Sequence, residues 1–307
     1  MNTNKHKTAQ PVKDLRDKFK EWKEILLGKD RHSIRNQILE MIWDSAVFQC
    51  INESRKYAAK DNKGNIKQNV MIHHFINQSF FKTQLLSIRK LIDKDFNRVQ
   101  QNKPYTVYSL YNLIEDMKKN NALLTRKNIL AAHNLPYDYK KAEARLWRKV
   151  GNTHRVVFGD PKISFSQNIH KQIDSMVGTT ANKRSPADLI PDTIFRQFED
   201  KLTSIEALCK YVDKFVAHSA TPDSRKKIQA GKIKITLSKI FNAHEIICKT
   251  ADSIGSKLLF YSCGNFLTTP QFDQFEYLDE PIASKETVEK LREFWEEYRK
   301  ETEQWYK

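Results

Sequence analysis

Apolar side chains return at three- and four-residue intervals along most of this chain, and no stretch alternates apolar and polar long enough for a half-buried strand. That spacing builds a continuous stripe only on a helix, so it fixes the fold class before any other feature. Leu15, Phe19, Trp22, Ile25 and Leu26 form one stripe over residues 12–27, with Gly28 placed as a C-terminal stop. Ile34, Ile38, Met41/Ile42, Ser45, Phe48 and Ile51 form a second that runs to about residue 59, before the turn at Asp61–Asn65. A third helix is expected over about 68–100, with Met71, Phe75, Phe80, Leu85, Ile88, Leu91 and Phe96 on its inner side. Thr106 or Ser109 can cap the next helix, Thr125 a short one that ends before Pro136, and Asp138 a basic one that reaches Gly151. Periodicity weakens over 151–185, where a loop-rich region with a short hairpin at Arg155–Phe158 is expected. It resumes from Pro191 to about His218 and again over 235–262. An extended connector then leads to a last helix, capped by Ser284, whose Val288, Leu291, Phe294, Trp295, Tyr298 and Trp305 should face inward. The fold class that follows is all-α, with long antiparallel helices in a bundle.

Composition narrows the class further. The 307 residues include 17 Phe, 11 Tyr and 5 Trp, enough for a real core despite 29% charged residues. No apolar run reaches the roughly 18 residues of a membrane span, and the first residues lack the apolar stretch of a secretory signal. Cys50, Cys209, Cys248 and Cys263 are scattered, without zinc spacing or a disulfide framework. Eight glycines include no phosphate-binding pattern. Adjacent His73 and His74 point about 100° apart on a helix and cannot share a metal, and Asp188, Asp192 and Asp200 are irregularly spaced. No metal or cofactor is expected, and an intracellular, cytoplasmic location is.

Charge is segregated. The formal net charge is +16, from 53 Lys and Arg against 37 Asp and Glu. Residues 1–124 carry 23 basic and 13 acidic side chains, residues 125–185 carry 12 and 4, and residues 276–307 reverse the balance with 6 and 10. Concentrated positive charge suits a polyanion, because each neutralised phosphate releases counterions. It equally suits a lysine-rich solubilising surface. Arg126, Lys140, Lys141, Arg145, Arg148, Lys149 and Arg155 are the candidate nucleic-acid contacts, with Trp147 able to stack on a base or to pack inward. The pattern divides the chain into 1–124, a basic 125–185, 186–262 and a terminal 263–307.

The stretch Lys210-Tyr-Val-Asp-Lys-Phe-Val-Ala-His-Ser219 holds the chemistry. On a regular helix Tyr211, Lys214 and His218 share a face at i, i+3 and i+7, beside a buried stripe of Leu202, Ile205, Leu208, Val212 and Phe215. An imidazole next to an ammonium group can move the 2′-hydroxyl proton of RNA while the cation steadies charge on phosphorus. It can also simply meet the dipole at a helix C-terminus. Arg89 and Asp93, four apart on the third helix, either pair on the surface or face His218.

Tyr211–Ser219 resembles the R-D-K-x-x-A-H helix of the HEPN superfamily, helical-bundle ribonucleases of toxin–antitoxin and abortive-infection systems. Ser87-Ile-Arg-Lys-Leu-Ile-Asp-Lys-Asp95, with Val107-Tyr-Ser-Leu110, is similar to an element of its AbiU-like branch. The two motifs and their flanking helices cover about 33–120 and 190–262. The resemblance implies a HEPN-like bundle with helical additions, metal-independent RNA cleavage with His218 and Lys214 as catalytic groups supported by Arg89 and Asp93, a homodimer, and an antitoxin or other protein partner. The family's arginine, separated from the histidine by four to six residues, is absent: Asp213, Val212 and Tyr211 stand at those positions. Either Lys210 or Lys214, with Arg89, supplies the cation, or the chain is a non-catalytic module that binds RNA, DNA or a protein. Literal Arg-x(4–6)-His strings occur elsewhere, at Arg126–His133 and Arg148–His154, and read as surface residues.

Overall fold

The computed structural model describes residues 4–94, 106–150, 160–217, 221–226 and 235–305. It is all-α: among the described residues there is no sheet, only isolated bridges at Lys60–Ile66 and Thr125–Leu189. In chain order the helices are α1 (Asn4–Leu27), α2 (Ile34–Tyr57), α3 (Val70–Leu91), α4 (Leu110–Lys119), α5 (Arg126–Ala132) and α6 (Tyr139–Val150). They continue as α7 (Pro161–Val177), α8 (Asp192–Thr203), α9 (Glu206–Tyr211), α10 (Pro222–Lys226), α11 (Leu237–Ile254) and α12 (Lys285–Gln304). π-helical turns extend α9 over Val212–Val216 and α11 over Gly255–Leu259. No described helix is long and apolar enough to cross a membrane. The chain forms two compact units, residues 1–267 and 268–307.

Several helix starts follow from local chemistry. Asn69, Ser109, Thr125, Thr236 and Ser284 accept hydrogen bonds from the backbone N–H three residues on, each relieving an orphan donor for about 1 kcal/mol. Asp138 Oδ1 does the same for Lys141 N at 3.0 Å. α7 ends at Gly178, whose φ of 72° is the left-handed geometry that a side chain would strain.

In the larger unit one core joins α1, α2, α3, α4, α5, α7, α8, α9 and α11, and α2, α3, α8, α9 and α11 pack on one another within it. The α2 stripe of Ile34, Ile38, Met41, Ser45 and Phe48 is buried as its spacing requires. On α3 burial begins only at Phe80, whose ring stacks on Phe48 with centroids 3.6 Å apart. Met71 and Phe75, expected inside, are exposed, because the α2–α3 hairpin projects beyond that stack. Residues 151–185 also differ from the loop-rich expectation: α7 buries Ile163, Ser166, Ile169, His170 and Ile173 on one face. Two of those five are polar, which hid the stripe from a hydrophobic reading. The third helix, expected to run from about 68 to 100, ends at Leu91 with Ile92 as its C-cap, while the expected hairpin at 155–158 lies outside the described residues.

In the smaller unit α12 forms with its Ser284 cap, and that unit by itself does not bury the apolar residues expected to face inward.

Phe80→Ala should cost about 3–5 kcal/mol in urea or guanidinium unfolding, the usual value for emptying an aromatic site. Phe75→Ala, one turn outward, should stay within about 0.5 kcal/mol.

Candidate functional site

Two sequence elements 124 residues apart meet at the end of α3. Arg89 donates from Nε to Asp213 Oδ1 at 2.8 Å and pairs through Nη1 with Asp93 Oδ2 at 2.6 Å. Asp93 is one helical turn on from Arg89, whereas Asp213 lies in the π-helical turn after α9. The bridge therefore ties the two elements that carry the resemblance. Hydrogen bonding to Asp213 first, and then to Asp93, holds the guanidinium even more firmly protonated than usual. The same corner is fastened a second time by Ser109, whose hydroxyl donates to the Asp93 carbonyl at 2.6 Å while it caps α4.

The π turn changes the face this segment presents. Ala217 N donates to Val212 O at 2.8 Å, an i→i+5 bond in place of the α-helical i→i+4. The i, i+3, i+7 register expected for Tyr211, Lys214 and His218 is that of an α-helix, whereas Val212–Val216 are π-helical. Tyr211 stacks on Phe215, with centroids 4.7 Å apart. Val212 is completely buried. Lys214 Nζ donates to Ser224 Oγ of α10 at 2.9 Å. Cys209, one turn before Asp213, has its thiol pushed up to about 12 by burial, so it is no thiolate nucleophile. His218 lies outside the described residues. The structure thus brings Arg89, Asp93 and Asp213 together and sets Lys214 on the adjoining π turn; of these, Asp213 was not read as a bonding partner from the sequence.

Arg126 requires a correction. Taken from sequence as a surface residue and a nucleic-acid contact, it is 0% exposed. Its Nε reaches Asp188 Oδ2 at 2.9 Å, Nη2 reaches Asp174 Oδ1 at 2.8 Å, and Nη1 reaches His170 Nδ1 at 2.9 Å. His170 Nε2 faces the Tyr137 carbonyl at 2.9 Å and must donate to it, so Nδ1 is left as the acceptor for Arg126. Arg184 closes the cluster on Asp174 Oδ2 at 2.6 Å. No nitrogen of Arg126 remains for a phosphate. His133, the other end of that string, sits instead among Phe19, Phe165, Phe260 and Tyr261, and burial lowers it to about 4.

The remaining basic candidates fall on α6. Lys140, Lys141, Arg145 and Arg148 are exposed, and Lys141, Arg145 and Arg148 follow one another at i, i+4 and i+7. Trp147 is 55% exposed and available to stack. Arg155, His154 and the Lys149 side chain lie outside the described residues. Among the described residues no group of His, Cys, Asp and Glu could hold a metal.

Comparison of the chain with protein-family models, with curated proteins and with solved structures finds no match in any of the three.

Two expectations follow. Arg126→Met should destabilise by about 3–5 kcal/mol, because it leaves Asp188 without its cation and Asp174 with Arg184 alone, while Arg148→Ala should change stability little. The second concerns pH. Burial holds His133, His170 and His244 below the ordinary 6.5, His133 and His244 at about 4. The unfolded chain therefore binds more protons between those values, so stability is complete above about pH 6.5 and falls as pH drops toward 4. The urea midpoint should decline across that window, and His244→Phe should flatten the decline.

Proposed function

We propose that this chain is an RNA-directed helical protein of the HEPN type, acting in bacterial defence or toxin–antitoxin biology as a metal-independent endoribonuclease. The observation that carries the reading is the Arg89 bridge: it draws Asp93 of the first motif and Asp213 of the second onto one guanidinium. Two short matches that were separate in sequence thereby belong to one corner of the bundle.

In this reading the 2′-oxygen of a ribose attacks the adjacent phosphorus. A bond forms between that oxygen and phosphorus, the bond to the 5′-oxygen breaks, and a 2′,3′-cyclic phosphate remains. His218 accepts the 2′-hydroxyl proton and returns a proton to the leaving 5′-oxygen. Lys214 offsets the negative charge on the phosphorane. Arg89, already held by two carboxylates, positions the π turn and does not bind phosphate. The exposed cations of α6, with Trp147 beside them, hold the RNA backbone and stack on a base. A homodimer and an antitoxin or other protein partner accompany this reading through the resemblance.

A second reading has its own support. With two carboxylates within 2.8 Å, Arg89 contributes no net positive charge to the corner. A chain with such a site would bind nucleic acid through α6 without cutting it.

Cleavage assays on single-stranded RNA in EDTA separate the two. The expected result is 2′,3′-cyclic phosphate ends, a loss on the order of 10²–10⁴ in rate for His218→Ala, and a smaller loss for Lys214→Ala without unfolding. Charge reversal at Arg145 and Arg148 should weaken RNA binding for all sequences alike and reduce its dependence on salt. Salt-dependent binding with no cleavage under any condition supports the second reading. No binding at low salt overturns both.

A further inference from the structure

We infer that α12 is a self-association helix, pairing antiparallel with α12 of a second copy of this chain. Residues 268–307 form a unit in which no residue of α12 is buried, whereas helices in proteins draw most of their stability from packing of an amphipathic face. Leu291, Phe294, Trp295, Tyr298 and Trp305 are each exposed by half or more. Such a surface requires a cover.

Its spacing selects a helix as that cover. Val288, Leu291, Trp295, Tyr298, Thr302 and Trp305 follow at intervals of 3, 4, 3, 4 and 3, the a and d positions of a heptad seam, and Phe294 widens the seam on one flank. Side-chain volumes select the direction. In a parallel pair each residue meets itself, so Trp295 and Trp305 are crowded against their own copies while Val288 and Thr302 leave gaps. Reversed, Val288 meets Trp305, Leu291 meets Thr302, and Trp295 meets Tyr298 of the second copy. Most layers then pair large with small, as close packing favours. The reversed arrangement is also two-fold symmetric, so the same face serves both copies.

Charge agrees with a protein cover and not a lipid one. α12 holds seven glutamates against five lysines and arginines, whereas a helix lying on anionic lipid presents a basic polar face. On the flank carrying Arg292 and Arg299, each cation already has a carboxylate of its own helix. Arg299 pairs with Glu296 at 2.9 Å and Glu303 at 2.7 Å, and Arg292 with Glu289 at 3.6 Å, so neither arginine brings an uncompensated positive charge to the opposing flank. Seven seam side chains covering roughly 100 Å² each give about 700 Å² per helix, or about 1,400 Å² in total, within the range of stable interfaces.

Cysteine cross-linking of the full chain tests the pairing and its direction. In a background with the exposed Cys50→Ser, Leu291→Cys and Thr302→Cys are made as separate proteins, one bearing a tag, and mildly oxidised alone and mixed. The antiparallel seam yields a disulfide-linked species of twice 36.1 kDa in the mixture, and little from either protein alone. Adding Trp295→Glu to both should abolish it. Because the readout is local to α12, a dimer formed elsewhere on the chain does not produce it, and loss of RNA cleavage does not bear on it. Cross-linking of each variant with itself would mean a parallel seam, and absence of a linked species in the mixture would mean that α12 is covered by its own chain or by something else. Either result overturns the inference, as does a link that survives Trp295→Glu.

Discussion

Burying a guanidinium completely is the most demanding arrangement in this molecule, and the placement of half the chain follows from it. Arg126 is stable inside only because Asp174, Asp188 and the neutral nitrogen of His170 meet its three nitrogens together. Those partners come from α7 and from the segment before α8. Arg126 N also donates to Asp188 O at 2.8 Å, and Ile190 N to Leu124 O at 3.2 Å, so the segment is laid along the start of α5 before α8 begins. At the other end of α5, Arg16 of α1 donates to the carbonyls of Ala131 and Ala132, satisfying acceptors the helix leaves open. One short helix is thus clamped at both ends, and α8 departs from the clamp toward α9 and the π turn that carries Asp213.

What could be read from the sequence divides along the same physical line. Stripes made only of hydrophobic residues, such as Ile34, Ile38 and Met41, were legible because burial follows from transfer out of water alone. α7 was not, since Ser166 and His170 occupy its inner face and are buried by particular partners: Ser166 donates to Pro136 O at 2.7 Å, and His170 bridges Arg126 and Tyr137. Such a stripe can be recognised only when the partners are known. Arg126 was misplaced for the same reason, because a cation at the first residue of a short helix looks exposed until Asp174 and Asp188 arrive from positions 48 and 62 residues away. Met71 and Phe75 show the converse error: a correct period gives the face of a helix, and how far its neighbour extends decides how much of that face is covered. At the candidate site the period itself changed, since one i→i+5 bond at Val212 moves every later side chain round the axis.

Arg89 and Arg126 make a useful contrast, because each holds two carboxylates and neither is free for a phosphate. Arg126 has no solvent and no alternative partner, so its role is structural. Arg89 retains about a third of its side-chain exposure at the corner where the chain turns toward His218. Water can share its charge there, and a rearrangement of Asp93 or Asp213 would release it at far smaller cost than the same change at Arg126.

The buried position of Val212 sets the final constraint on how such a corner could work. In the resembled family an arginine stands near this point of the helix, but here the side chain is fully enclosed. An arginine at 212 would carry its charge into the core beside Leu208 and Leu202 unless the π turn reverted to α-helix and rotated the position outward. An apolar residue at 212 therefore suits the π turn, where an arginine would not. The turn allows an apolar residue to fill the core while it swings Asp213 out to Arg89. With Arg89 held by two carboxylates, the cation that the proposed phosphate chemistry needs would come from another side chain, and the proposal assigns it to Lys214, whose ammonium group is held by the neutral hydroxyl of Ser224.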